Sequence, residues 1–176
     1  MYCLKLALLI WGMLLANSVL ALANDREQPI QIEANQATIN NIEGTATYQG
    51  NVIVTQGSIH ITAETVIINY SKEQNITNVI AKGDPVNFQQ RLDQGDNIKA
   101  KAKEMEYNAA KDMLHLRQAA ELRKERNGED TYISQAPNIT YDTQQGIISA
   151  DKGDSKQGRI IMTLKPQAKS KSPPTP

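Results

Sequence analysis

The sequence predicts an all-β protein made of stacked antiparallel strands. Apolar and polar side chains alternate at period two through much of the chain. A loose unit of about 30 to 37 residues recurs, and glycine introduces the segments that return after each unit.

The chain begins with a leader. Lys5 precedes an apolar stretch from Leu6 to Leu15, and Ala21-Leu22-Ala23 supplies small residues of the kind a signal peptidase accepts. Residues 1–23 therefore read as a signal peptide. Asn17 and Ser18 interrupt the stretch, which leaves it shorter than the ~20 apolar residues of a spanning helix. Cys3 is the only cysteine and lies in the leader, so the mature chain is expected to fold without a disulfide. Removing Lys5 leaves 18 Lys+Arg (19 minus 1) against 19 Asp+Glu. A net charge near minus one offers no field for gathering nucleic acid. No later apolar run could span a bilayer, so the mature chain is expected to be soluble.

Residues 24–164 read as one domain. Val52 and Val54 share a face in the segment from Asn51 to Thr55, as do Ile59, Ile61 and Ala63 in the next. The apolar parity switches at Gln56-Gly57, which predicts a tight turn or glycine bulge. It switches again after Ala63, bringing Val66, Ile68 and Tyr70 into line, so a bend is expected near Glu64-Thr65. The repeat opens on Ile32-Glu33-Ala34, Ile61-Thr62-Ala63, Ile98-Lys99-Ala100 and, weakened, Ile133-Ser134-Gln135. An apolar-x-Tyr triplet follows in three of these, at Ile68, Met105 and Ile139. Such layers cannot hide their apolar faces without neighbours, which predicts one continuous interior.

Lys99 to Leu114 is rich in helix formers. Its lysines at 99, 101 and 103 nevertheless alternate with Ile98, Ala100 and Ala102, so the segment is read as strand. The lysine ladder is either a solvated outer face that discourages edge pairing or a contact for lipid phosphates. Residues 165–176 are polar and proline-rich, and are expected to be disordered.

Candidates for chemistry are sparse. His60 and His115 are single, and their parity turns them outward. No zinc spacing, nucleophile elbow or phosphate loop is present, so no catalytic site, metal or cofactor is expected. The interior draws on Ile, Val, Leu, Ala and a few Tyr, with Phe88 the only phenylalanine. It suits either a narrow β-sandwich or an aliphatic groove for acyl chains.

Three segments carry a resemblance. Gln28-Pro29-Ile30-Gln31-Ile32-Glu33-Ala34, Tyr48 through Ser58, and Gly83-Asp84-Pro85-Val86-Asn87-Phe88 resemble signature segments of the OstA-like family, over a span from Gln28 to Leu164. The leader and short basic tail point to the soluble periplasmic bridge within that family. Lack of a retained anchor argues against LptC, and the short length against LptD. The resemblance implies a partly open, twisted β-jellyroll that shelters the acyl chains of lipopolysaccharide. It also implies head-to-tail homo-oligomers, with LptC and the N-terminal domain of LptD as partners. Alternation together with the resemblance assigns Ile30 and Ile32 to the entry end of the groove. Val52, Val54, Ile61, Ile68, Phe88, Tyr107 and Leu116 continue it; ordinary core is the alternative at each. The exposed edges are expected at Pro29–Ala34 and Arg159–Thr163. The rival functions are a periplasmic β-solenoid enzyme acting on envelope polysaccharide, which would need clustered carboxylates and stacked aromatics, and a structural repeat protein.

Overall fold

The computed structural model describes residues 25–92, 95–154 and 157–166; the expected signal peptide and residues 167–176 of the expected tail lie outside them. A 3-10 turn, Asp25–Glu27, is followed among the described residues by ten strands: β1 Ile30–Glu33, β2 Gln36–Asn40, β3 Thr45–Gln56, β4 Ile59–Tyr70, β5 Ile76–Arg91, β6 Asp96–Asn108, β7 Met113–Arg126, β8 Glu129–Asp142, β9 Ile148–Asp151 and β10 Ile161–Leu164. All pair antiparallel in one sheet in chain order from β3 to β8. The short strands β1 and β2 lie end to end along β3, and β10 and β9 do so along β8.

The six long strands all bend in the middle. Each junction between them carries a register shift at that level: Gln49/Val52, Thr62/Thr65, Lys82/Val86, Lys101/Glu104 and Arg117/Ala120. Extra residues at such points leave the ladder and turn the strand. Gly50 has φ +78°, and a Cβ there would stand 2.7 Å from the Asn35 side-chain nitrogen. Gln118 and Ala119 take φ values of 63° and 57°, and Pro137 occupies the matching place on β8. A proline is tolerated there because the ladder is already interrupted. The line of bends divides the sheet into two halves, and the buried side chains of both halves form one cluster. The result is a partly open β-jellyroll with two free edges.

Side chains beside the bends follow from this geometry. On the half containing β1 and β10, the inward positions nearest the bend include Ala63, Ala102, Ala120 and Ala136. Small residues let the two halves approach where they diverge from a common spine. The segment that begins at Lys99 is β6 followed by a turn into β7, not helix. Ile98, Ala100 and Ala102 are buried while Lys99, Lys101 and Lys103 are exposed, so burial of a two-residue repeat overrides helix propensity.

Candidate functional site

Register places the inward side chains in rows that cross the entire sheet. One row runs Ile32, Val54, Ile61, Phe88, Ala100, Leu122, Ser134 and Met162, from the free strand β1 to the free strand β10. On the other half a row runs Ile39, Ala46, Ile68, Val79, Tyr107, Leu114, Tyr141 and Ile148, from β2 to β9. A third, nearer the bends, includes Tyr48, Val66, Ala81, Met105, Leu116 and Ile139.

These rows locate the residues singled out in the sequence. Ile32, Val54, Ile61 and Phe88 stand side by side in the first row; Ile68 and Tyr107 share the second, and Leu116 belongs to the third. Val52 pairs with Ala63 beside the bend. All eight belong to the apolar cluster or pack against it. Ile30 does not: it is 40 % exposed and lies opposite Gln56. Its place on β1 has the same parity as Ile32, but the sheet's polar hairpin end begins there. Val66, Val86, Ile98, Met105, Leu114, Leu122, Ile139 and Tyr141 also belong to the buried interior, beyond the groove positions that the sequence assigns. Alternation marks several of them, but the positive-φ step at Gln118-Ala119 obscures how Leu116 and Leu122 join.

The interior is graded. Val66, Val86, Leu116, Leu122 and Ile139 are fully buried, whereas Ile32, Ile59, Ile61, Tyr70, Val79, Leu92, Tyr107 and Tyr132 remain half-buried. At the last edge a cleft of about 410 Å³ is lined by Ala119, Ala120, Ala136, Pro137 and Ile161 together with the polar Glu121, Gln135 and Arg159. It lies at the bend of β8, between the stretches of that strand paired to β10 and to β9. Burial pushes the Tyr141 hydroxyl up, helped by the charge of Asp142, so it stays neutral.

The outer face is a lattice of opposed charges. Arg117 reaches Glu104 at 3.1 Å and Glu106 at 2.6 Å, and Lys82 stands 3.5 Å from Glu104. Arg123 joins Glu121 and Asp130 at 2.7 and 3.0 Å. Hydrogen bonds from Arg117 and Asn78 hold Glu106 below the usual carboxylate range, and Arg123 does the same for Glu121. Lys99 pairs with Glu125 at 2.8 Å and Lys103 with Asp84 at 3.0 Å. The lysine ladder is thus largely neutralised by its own sheet and reads as a solvated face. His60 is exposed, while His115 is half-buried, its Nδ1 lying 3.2 Å from the Thr140 hydroxyl. No cluster of three potential metal ligands occurs among the described residues.

Residues 31–147 match the family model described as LptA/(LptD N-terminal domain) LPS transport protein. The chain is 33 % identical over 171 residues to the lipopolysaccharide export system protein LptH of Pseudomonas aeruginosa, covering 92 % of this chain and 95 % of that protein. It is 34 % identical over 173 residues to the lipopolysaccharide export system protein LptA of Haemophilus influenzae, covering 95 % and 96 % respectively. The crystal structure of the Pseudomonas aeruginosa LptH, the LptA-homologous periplasmic component of a lipopolysaccharide transport device, superposes with a TM-score of 0.71 at 32 % identity. That match covers 81 % of this chain and 99 % of the other.

Proposed function

This chain belongs to the LptA/(LptD N-terminal domain) family of LPS transport proteins, and from that premise we propose that it carries lipopolysaccharide across the periplasm by sheltering the acyl chains between the two halves of its bent sheet. The family is one of transport proteins, which sets aside the enzyme acting on envelope polysaccharide. One observation carries the mechanism: the row from Ile32 to Met162 extends unbroken from one free edge to the other. A lipid entering at β1 therefore meets apolar neighbours as far as Leu122, with the small Ser134 the one polar side chain before Met162.

Each exposed CH₂ costs about 0.8 kcal/mol in water, so a lipid with several acyl chains has a prohibitive aqueous crossing unless its path is lined. Aliphatic walls also bind similarly at successive positions, which favours movement over capture. The half-buried residues would touch lipid while the fully buried ones hold the fold.

The same reading takes the two edges as docking surfaces. Ile39 and Ile42 are exposed at the first, Ile161, Met162 and Leu164 at the last. Unpaired backbone beside exposed apolar side chains suits strand addition, and contact between unlike ends propagates as a filament. The protein would join copies of itself head to tail, with LptC at the inner-membrane end and the N-terminal domain of LptD at the outer. Each edge is longer than the sequence indicates, since β2 and β9 extend it past the bend.

The test is extraction of lipid from protein purified out of its own periplasm, identified by mass spectrometry, with photo-crosslinking from a probe at position 61. Co-purified lipopolysaccharide and a lipid adduct are expected. Protein that carries no lipid and forms no adduct would return these residues to ordinary core.

A further inference from the structure

On the inner face of β7 the chemistry changes within one step. Ala120 and Leu122 are buried, and the next residues of the same parity, toward the hairpin, are Lys124 and Arg126. On β6 the buried run Ala102, Ala100, Ile98 ends likewise in Asp96, directly opposite Arg126. Same-face neighbours on a strand are roughly 7 Å apart, so the cations begin one such interval beyond Leu122.

Arg126 donates from Nε to one oxygen of Asp96 at 2.6 Å and from Nη2 to the other at 2.9 Å. Lys124 Nζ lies 2.9 Å from the second oxygen. The Asp96 side chain is only 5 % exposed, whereas those of Lys124 and Arg126 are 38 % and 44 % exposed. The carboxylate anchors two cations that remain in reach of solvent, and the exposed Glu129 stands opposite Arg126 on β8. Nearby on the same face, opposite Ile98, Gln90 buries its Oε1 with no hydrogen bond. The neighbouring Asp25 does not compete for the cations, because its carboxylate accepts from the Ser58 amide and hydroxyl and from Gln90 Nε2.

We propose that Lys124 and Arg126, held in place by Asp96, bind the phosphate of the lipid headgroup while its acyl chains lie along the half-buried Tyr132, Ile61 and Ile32. This site rests on the carrier reading above and adds the headgroup's position to it. The order along the strand, apolar then cationic, matches the order of acyl chain and phosphorylated sugar in such a lipid. The guanidinium supplies N–H groups beyond the two spent on Asp96, and the ammonium supplies three in all.

The test measures binding by the intact protein of bisphosphorylated lipid A, the same lipid with both phosphates removed, and inorganic phosphate alone. Phosphorylated lipid is expected to bind about tenfold more tightly than the dephosphorylated form, the scale of one or two partly exposed charge-assisted hydrogen bonds. Inorganic phosphate, with no apolar part, is expected to show no saturable binding. The triple variant Asp96→Asn, Lys124→Gln, Arg126→Gln removes the buried charge together with its partners, and should bind both lipids equally. Lys124→Gln alone, which keeps the Asp96–Arg126 pair, should lose about a threefold part of the preference. Equal binding of the two lipids by the intact protein overturns the site and leaves the carrier reading standing, as does an undiminished preference in both variants. Saturable binding of inorganic phosphate without lipid discrimination would assign the cations to a free anion. Failure of either lipid to bind at all would overturn the carrier reading and this site with it.

Discussion

Arg126 grips Asp96 at both carboxylate oxygens across the β6–β7 ladder. The pair lies at the inner, hairpin end of a sheet half whose deeper positions on β6 and β7, Ile98, Ala100, Ala102, Ala120 and Leu122, are apolar.

Those hydrogen bonds, with that of Lys124, hold the Asp96 carboxyl well below the usual carboxylate range. A carboxylate depressed in the folded state stabilises it above the unfolded value of about 3.9, and that contribution fades as the unfolded chain takes up protons below about pH 5. Thermal melting of the protein should therefore fall as pH drops from 7 toward 3. Asp96→Asn should melt lower at pH 7, with the gap to the parent narrowing on acidification. Parallel melting curves at all pH values would contradict this. Glu106 and Glu121, depressed by Arg117 and Arg123, should preserve part of the acid sensitivity in the variant.

Leu116 and Ile32 are expected to respond in opposite ways. Leu116 is fully buried, so Leu116→Ala should cost about 2 to 5 kcal/mol of stability, read from urea unfolding. Ile32 is half-buried on a free strand, and Ile32→Glu should leave the melt within a few degrees while weakening lipid binding. Its carboxylate can stay hydrated when the groove is empty and opposes only the lipid. Collapse of the Ile32→Glu fold would place that side chain in closed core.

Deleting residues from Arg159 onward removes β10, with its exposed Ile161, Met162 and Leu164, while β9 stays paired to β8. The truncated protein should remain folded and sediment as a monomer at concentrations where the full chain associates. Association at full strength would exclude this edge.

The outer lysines should matter little. Lys99 and Lys103 are exposed and paired with acids on the same sheet, an arrangement worth about 0 to 1 kcal/mol. Replacing Lys99, Lys101 and Lys103 by Gln should leave lipid affinity unchanged in titration. A loss of tenfold or more would make the ladder a headgroup contact.

Local alternation in the sequence determined much of this molecule. Side chains point to opposite faces at every residue of a strand, so Val52 and Val54, or Ile98, Ala100 and Ala102, disclose their face without any partner. A parity switch discloses a bend, and the one after Ala63 falls where β4 changes half. Only the tertiary structure decided which strands lie beside which edges, because pairing of β2 with β3 or β9 with β8 depends on register between segments that carry no mark of one another. It also decided that Ile30 stands outside the interior while Ile32 stands inside it, since both have the same parity but Ile30 lies opposite Gln56 at the polar hairpin end and Ile32 opposite Val54. The inward cations escaped the sequence for a related reason. Lys124 and Arg126 look like ordinary surface charges until the fold sets them opposite Asp96, where a buried carboxylate offsets their desolvation and makes an inner-face position tenable.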